Sequence, residues 1–133
     1  MAGYSGTPLA KKLGIKKGAT VALVGAPDSL DDDLAPLPAG VNVCRRAGRA
    51  DVAVAFFTKR SELERRIGAL ARHVHPDGGL WIAWPKKASG VATDITEDTI
   101  REVALPLGVV DNKVCAIDET WSGLRLVWRL TRR

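Results

Sequence analysis

The stretch DVAVAFFTKRSELERRIGALARHVHPDGGLWIAW, Asp51 to Trp84, decides the fold. It opens on Asp51 to Phe57, a run of small and β-branched apolar residues that suits a strand covered on both faces. From Ser61 to Val74 the period changes: Leu63, Ile67, Leu70 and Val74 stand four, three and four residues apart, which is one face of a helix. Ser61 is the expected cap, and Glu62 and Glu64 fall in the first turn, where the helix dipole favours anions. Pro76-Asp77-Gly78-Gly79 reads as a turn, and Leu80 to Trp84 as a second buried strand. Strand, helix and strand in this order make a right-handed crossover between parallel neighbours.

The same alternation extends outward. Ala19 to Val24 is another continuous apolar run and Val41 to Cys44 a shorter strand, separated by the turn-rich, acidic stretch Pro27 to Gly40. Beyond the polar loop Pro85 to Thr93, a helix is expected from Glu97 to Leu107, capped by Thr96 and stopped by Gly108. Val109 to Ile117 reads as the fifth strand. After a reversal at Trp121-Ser122-Gly123, Leu124 to Leu130 alternates like an antiparallel strand with one exposed face. Thr7 to Leu13 reads as a short helix, with Thr7 as cap, Pro8 at its first position and Gly14 as its stop. These elements predict a single three-layer α/β domain over residues 1–133: a helical extension at 1–18 docked on its own chain, then a core at 19–130. The mainly parallel sheet of about six strands is expected in the order 2-1-3-4-6-5, ending in an antiparallel pair.

Composition narrows the function classes. The hydrophobic fraction of 46% over 133 residues supports one ordinary globular domain, and no run approaches the roughly 20 apolar residues of a membrane span. Met1 to Gly6 is too polar for a signal peptide, and two cysteines cannot build a disulfide framework, so a cytoplasmic setting is expected. The formal charge of +5 would attract polyanions. The cations are scattered, however, from Lys11 to Arg133, and the four Trp, two Phe and one Tyr do not interleave with them, which disfavours nucleic acid.

The strand from Asp51, its helix and His75-Pro76-Asp77-Gly78-Gly79-Leu80-Trp81 resemble the back half of a Rossmann-like class I methyltransferase, where a Lys-Pro-Gly-Gly-type turn precedes a strand. The closing antiparallel pair fits the same family. The resemblance implies a Gly-rich turn after the first strand and an acidic residue ending the second, to hold S-adenosylmethionine. Here Val24-Gly25-Ala26-Pro27-Asp28 has a single glycine, and Arg45 and Arg46 stand where the acid belongs, so no cofactor is assigned. Three longer strings are similar to an uncharacterised bacterial family, domain of unknown function 3052: Tyr4 to Gly14, Trp84 to Gly90 and Cys115 to Gly123. That resemblance implies a fold and no activity.

Ligands of open parallel sheets sit beyond the carboxyl ends of the strands. Lys86, Lys87, Ser89 and Gly90 follow the fourth strand, and Asp118, Glu119 and Thr120 follow the fifth, so the topology is expected to set both loops on one rim. Two ammonium groups, a hydroxyl and a flexible backbone suit a small anion. The alternative is that the two loops only staple each other. Trp121, beside a reversal, is the candidate interface residue for a protein partner or a second copy of the chain. His73 and His75 have the wrong spacing for a metal pair, and no metal is assigned. Cys44 and Cys115 read as buried, inert thiols. The leading expectation is a domain that binds a small anionic ligand or a protein partner at this rim. A methyltransferase-derived enzyme and a charge-driven nucleic-acid binder are the alternatives.

Overall fold

A computed structural model describes residues 7–130 of the chain. Residues 1–6 and 131–133, which hold the start of the expected N-terminal extension and Arg132 and Arg133, lie outside the described residues. Six strands form one sheet: β1 (Thr20–Val24), β2 (Asn42–Cys44), β3 (Ala50–Phe56), β4 (Val74–Pro85), β5 (Val109–Ala116) and β6 (Trp121–Trp128). Their order is β2-β1-β3-β4-β6-β5. The first four are mutually parallel, and β6 runs antiparallel to both β4 and β5, as the sequence predicts.

Helices cover both faces, because the strands are apolar on both. On one face α3 (Arg60–His73) and α4 (Glu97–Ala104) bury Leu63, Ile67, Leu70 and Ile100 against Leu80, Ile82, Leu124 and Leu126. On the other, α1 (Leu9–Lys12) and α2 (Leu30–Leu34) seat Leu9, Leu13, Leu30 and Leu34 over Val54, Trp81 and Ile117. Trp81 and Trp84 therefore serve opposite layers. Trp81 is fully buried, and its indole Nε1 donates to the Leu13 carbonyl at 3.0 Å, which ties the described part of the N-terminal extension to the sheet.

Several local expectations change. Pro76 to Gly79 is a bulge within β4 and not a separate turn: β4 pairs with β3 at Ala50↔Val74 and again at Val52↔Gly79. Ser61 does not cap α3. The helix starts at Arg60, whose backbone N–H donates to Asp94 Oδ1 at 2.7 Å. Thr96 does cap α4, in a reciprocal box with Thr99, but the α-helix stops at Ala104 because Pro106 has no N–H, leaving a 3₁₀ turn over Leu105–Leu107. Expected from Leu124 to Leu130, β6 starts at Trp121 and ends at Trp128. It lies inside the sheet, so Val127 is buried with Leu124 and Leu126, while Leu130 is 79% exposed beyond it. Cys44 is exposed, since β2 is a three-residue edge strand, and Cys115 is half-buried; neither is the fully buried thiol expected. Burial pushes the Cys115 thiol up, opposed by Lys12 and Lys113.

Candidate functional site

The carboxyl ends of β4 and β5 meet. The Lys86 backbone N–H donates to Thr120 O at 2.7 Å, and its ammonium Nζ donates to Asp118 O at 2.7 Å. Asp118 turns its carboxylate inward, where Oδ1 accepts the N–H groups of Thr120 (2.8 Å) and Trp121 (2.7 Å) and closes the β5–β6 reversal. Ser89 Oγ donates to Lys86 O at 2.6 Å and accepts from Val91 N–H at 3.2 Å. The N–H groups of Ser89 and Gly90 also donate within the loop, to Lys86 O and Lys87 O. Gly90 has φ +77°, which its lack of a Cβ permits.

Among the seven rim residues, Lys86, Ser89, Asp118 and Thr120 are thus brought together by hydrogen bonds within the two loops. Lys87, Gly90 and Glu119 are exposed. Trp121 is half-buried, its ring meeting Phe56 edge-on with centroids 5.0 Å apart at 85°, so it packs against its own chain. A cleft of about 680 Å³ opens beside the Lys86 loop, with Trp84, Pro85, Val91 and Ile95 as its apolar lining and Lys87, Gly90 and Glu97 at its edge. Its far wall, residues 91–97, is the part that the sequence reading missed; the length of the polar loop after β4 was the available signal. Thr93 Oγ1 donates to Thr58 O, Thr96 Oγ1 accepts from Thr99 N–H, and Glu97 pairs with Arg101. The ammonium of Lys87 has no ion-pair partner among the described residues.

The front of the rim has a different character. After β1, Gly25 (φ +67°) brings the backbone so close to Phe56 that an added Cβ would lie 3.3 Å from its carbonyl oxygen. Next comes α2, whose Leu30 and Leu34 are buried against the sheet. Arg45, at the end of β2, pairs with Asp31 at 2.6 Å. Asp33 faces the rim: loss of water, then the charges of Asp118 and Asp32, raise its carboxyl above the ordinary value. At the other end of the sheet, His75 Nε2 lies 3.9 Å from Asp51 Oδ1, while Asp51 Oδ2 accepts the Thr20 N–H. Among the described residues, no three His, Cys, Asp or Glu side chains converge as a metal site would require.

Solved structures share this architecture. A SAM-dependent methyltransferase from Aquifex aeolicus matches with a TM-score of 0.63 at 14% identity, over 89% of this chain and 86% of that one. The ribosomal protein L11 methylase from Lactobacillus delbrueckii subsp. bulgaricus matches at 0.58 and 16%, over 85% and 71%. The N-methyltransferase NodS from Bradyrhizobium japonicum WM9 matches at 0.58 and 13%, over 89% and 90%. At these identities the likeness shows a Rossmann-like fold of the methyltransferase kind. No family model and no curated protein sequence matches the chain.

Proposed function

We propose that the chain is a Rossmann-like binding domain of methyltransferase descent, whose carboxyl-rim cleft takes a small ligand with an apolar body and one anionic group. The observation that carries this reading is the cleft beside the Lys86 loop. Its size falls within the roughly 300–1,000 Å³ of small-molecule sites, its lining is mostly apolar, and Lys87 is its one cation among the described residues. Because the Lys86–Asp118 and Lys86–Thr120 bonds fix the loop, the cleft is preorganised and little chain order is lost on binding. The candidate residues divide accordingly: Lys86, Ser89, Asp118 and Thr120 build the rim, Lys87 and Gly90 face the ligand, and Glu119 is exposed outside the cleft lining.

The rim's front argues against methyl transfer. The turn after β1 carries the single Gly25 and the stiff Pro27 where a Gly-rich turn is implied, and Arg45, paired with Asp31, stands where the acid belongs. Kinship with the 3052 family remains part of the same reading, carried by the three strings quoted above, and assigns no reaction. Calorimetric titration with acyl-coenzyme A thioesters, fatty acids and aromatic carboxylates tests the proposal. At least one is expected to bind, and Lys87→Glu is expected to weaken it about tenfold, as fits the loss of a charge-assisted contact. S-adenosylmethionine is expected to give no heat. Silence across the acidic panel, or binding indifferent to Lys87→Glu, overturns the reading.

A further inference from the structure

The cations that look scattered in sequence are gathered by the fold. Lys16 and Lys17 lead into β1, Arg49 leads into β3, Arg72 lies in the last turn of α3, His75 stands near the start of β4, and Arg125 lies on β6. The five cations and the His75 imidazole line two clefts at the amino ends of the parallel strands, opposite the rim. One cleft, of about 560 Å³, holds Lys16, Lys17 and Arg125. The other, of about 720 Å³, holds Arg49, Arg72 and the indole of Trp128. They adjoin around the first residues of β4, sharing His75 and Pro76.

Two features make this more than a solvated face. The side chains of Lys16, Lys17, Arg49 and Arg72 are exposed and have no ion-pair partner among the described residues, although the chain carries 15 Asp and Glu. Asp51, in the lining, is engaged by the Thr20 N–H and faces His75; Asp77 also lines the cleft. Arg125 is also placed with care. Its guanidinium lies over Gly79, where a Cβ would stand 2.5 Å from Nε, so the glycine makes the room that lets this cation reach the cleft. Beyond the shared wall, Trp128 is held by its Nε1–H bond to Ala71 O at 3.0 Å and contributes an aromatic surface beside two guanidinium groups.

We propose that the amino end of the sheet binds nucleoside phosphates, with the phosphates in the Lys16–Lys17–Arg125 cleft and the base in the Trp128 cleft. Ammonium and guanidinium groups meet phosphate oxygens, while aromatic and Arg planes accept a base of any identity. This chemistry has two sources, a free nucleotide or a single-stranded nucleic acid, and the site is separate from the rim cleft.

The test is fluorescence anisotropy with a labelled single strand of about ten nucleotides, beside titrations with ATP and with inorganic pyrophosphate. Binding is expected to weaken on the order of a hundredfold between about 50 and 200 mM salt, as four or five phosphate contacts require. Lys16→Glu/Lys17→Glu/Arg72→Glu is expected to lose at least about tenfold, with circular dichroism confirming the fold and Lys16→Gln/Lys17→Gln as the milder variant. Lys59→Glu, an exposed charge reversal at the carboxyl end of β3, is expected to bind as the wild type does. A strand that binds much more tightly than ATP identifies a polymer; equal affinities identify the free nucleotide. The proposal is overturned if neither binds at low salt, if the charge-reversed variant binds unchanged, or if pyrophosphate competes as well as ATP, since then no base is read.

Discussion

Gly78 and Gly79 adjoin in sequence, yet the fold needs each for a different reason. A Cβ on Gly78 would collide with the Asp51 carbonyl oxygen, a backbone atom held in the sheet, so β3 and β4 would have to separate. The atoms nearest a Cβ on Gly79 would be those of the Arg125 guanidinium, the far end of a flexible side chain. Gly78→Ala is therefore expected to cost about 1–3 kcal/mol in urea unfolding, as overpacking does. Gly79→Ala is expected to stay within about 1 kcal/mol of wild type, because reduced backbone freedom in the unfolded chain offsets the shifted arginine. Equal losses would mean that the bulge, and not the close approach, sets the requirement. The Gly-Gly pair was legible as a turn signal, but the atoms it avoids belong to Asp51 and Arg125, which only the folded sheet supplies. The rim has the same limit. That Lys86 and Asp118 would share an edge followed from strand direction; that they would satisfy each other through a backbone carbonyl did not.

The two major helices show which caps a sequence reveals. Thr96 and Thr99 close a local box, three residues apart, and α4 begins where that pattern places it. In α3 the local candidate fails: Ser61 lies one residue inside a helix that starts at Arg60, and the acceptor for the first N–H is Asp94, 34 residues on. The loop carrying Asp94 is pinned to the end of β3, because Thr93 Oγ1 donates to Thr58 O at 2.7 Å. An ion pair from Arg60 to Glu102 at 3.1 Å joins α3 to α4 above it. Asp94→Ala is expected to lower stability by about 1 kcal/mol, the usual effect of a lost N-terminal acceptor, whereas Ser61→Ala is expected to stay within about 0.5 kcal/mol. Thermal unfolding of the two variants side by side decides between the caps. A larger loss from Ser61→Ala would restore the local one.

Across the whole molecule, strand order was legible because each apolar run and each helical period reports burial directly, and right-handed crossovers leave few ways to connect them. Charge was not legible, because sequence spacing says nothing of which ends of strands lie together. The fold puts Lys16, Lys17, Arg49 and Arg72 at the amino end, while Asp31, Asp32, Asp33 and Asp118 crowd the front of the carboxyl rim. Asp33 reports the consequence. Folding removes some of its water and sets it against Asp118 and Asp32, so its carboxyl titrates above its unfolded value of 3.8. The folded state then binds the proton more tightly than the unfolded state does, and linkage gives the sign: ionised Asp33 disfavours folding at neutral pH, and the penalty disappears as pH falls through the folded titration toward the unfolded one. Asp33→Asn is expected to stabilise the chain at pH 7, by no more than about 0.5 kcal/mol because the group is exposed. Near pH 3, where the wild-type carboxyl is protonated in both states, the gain is expected to vanish. Urea midpoints of both proteins at the two pH values measure the difference, and the subtraction cancels the carboxylates they share. A gain that persists unchanged at pH 3 would assign the effect to packing and remove Asp33 as the sign of an acidic front to the rim.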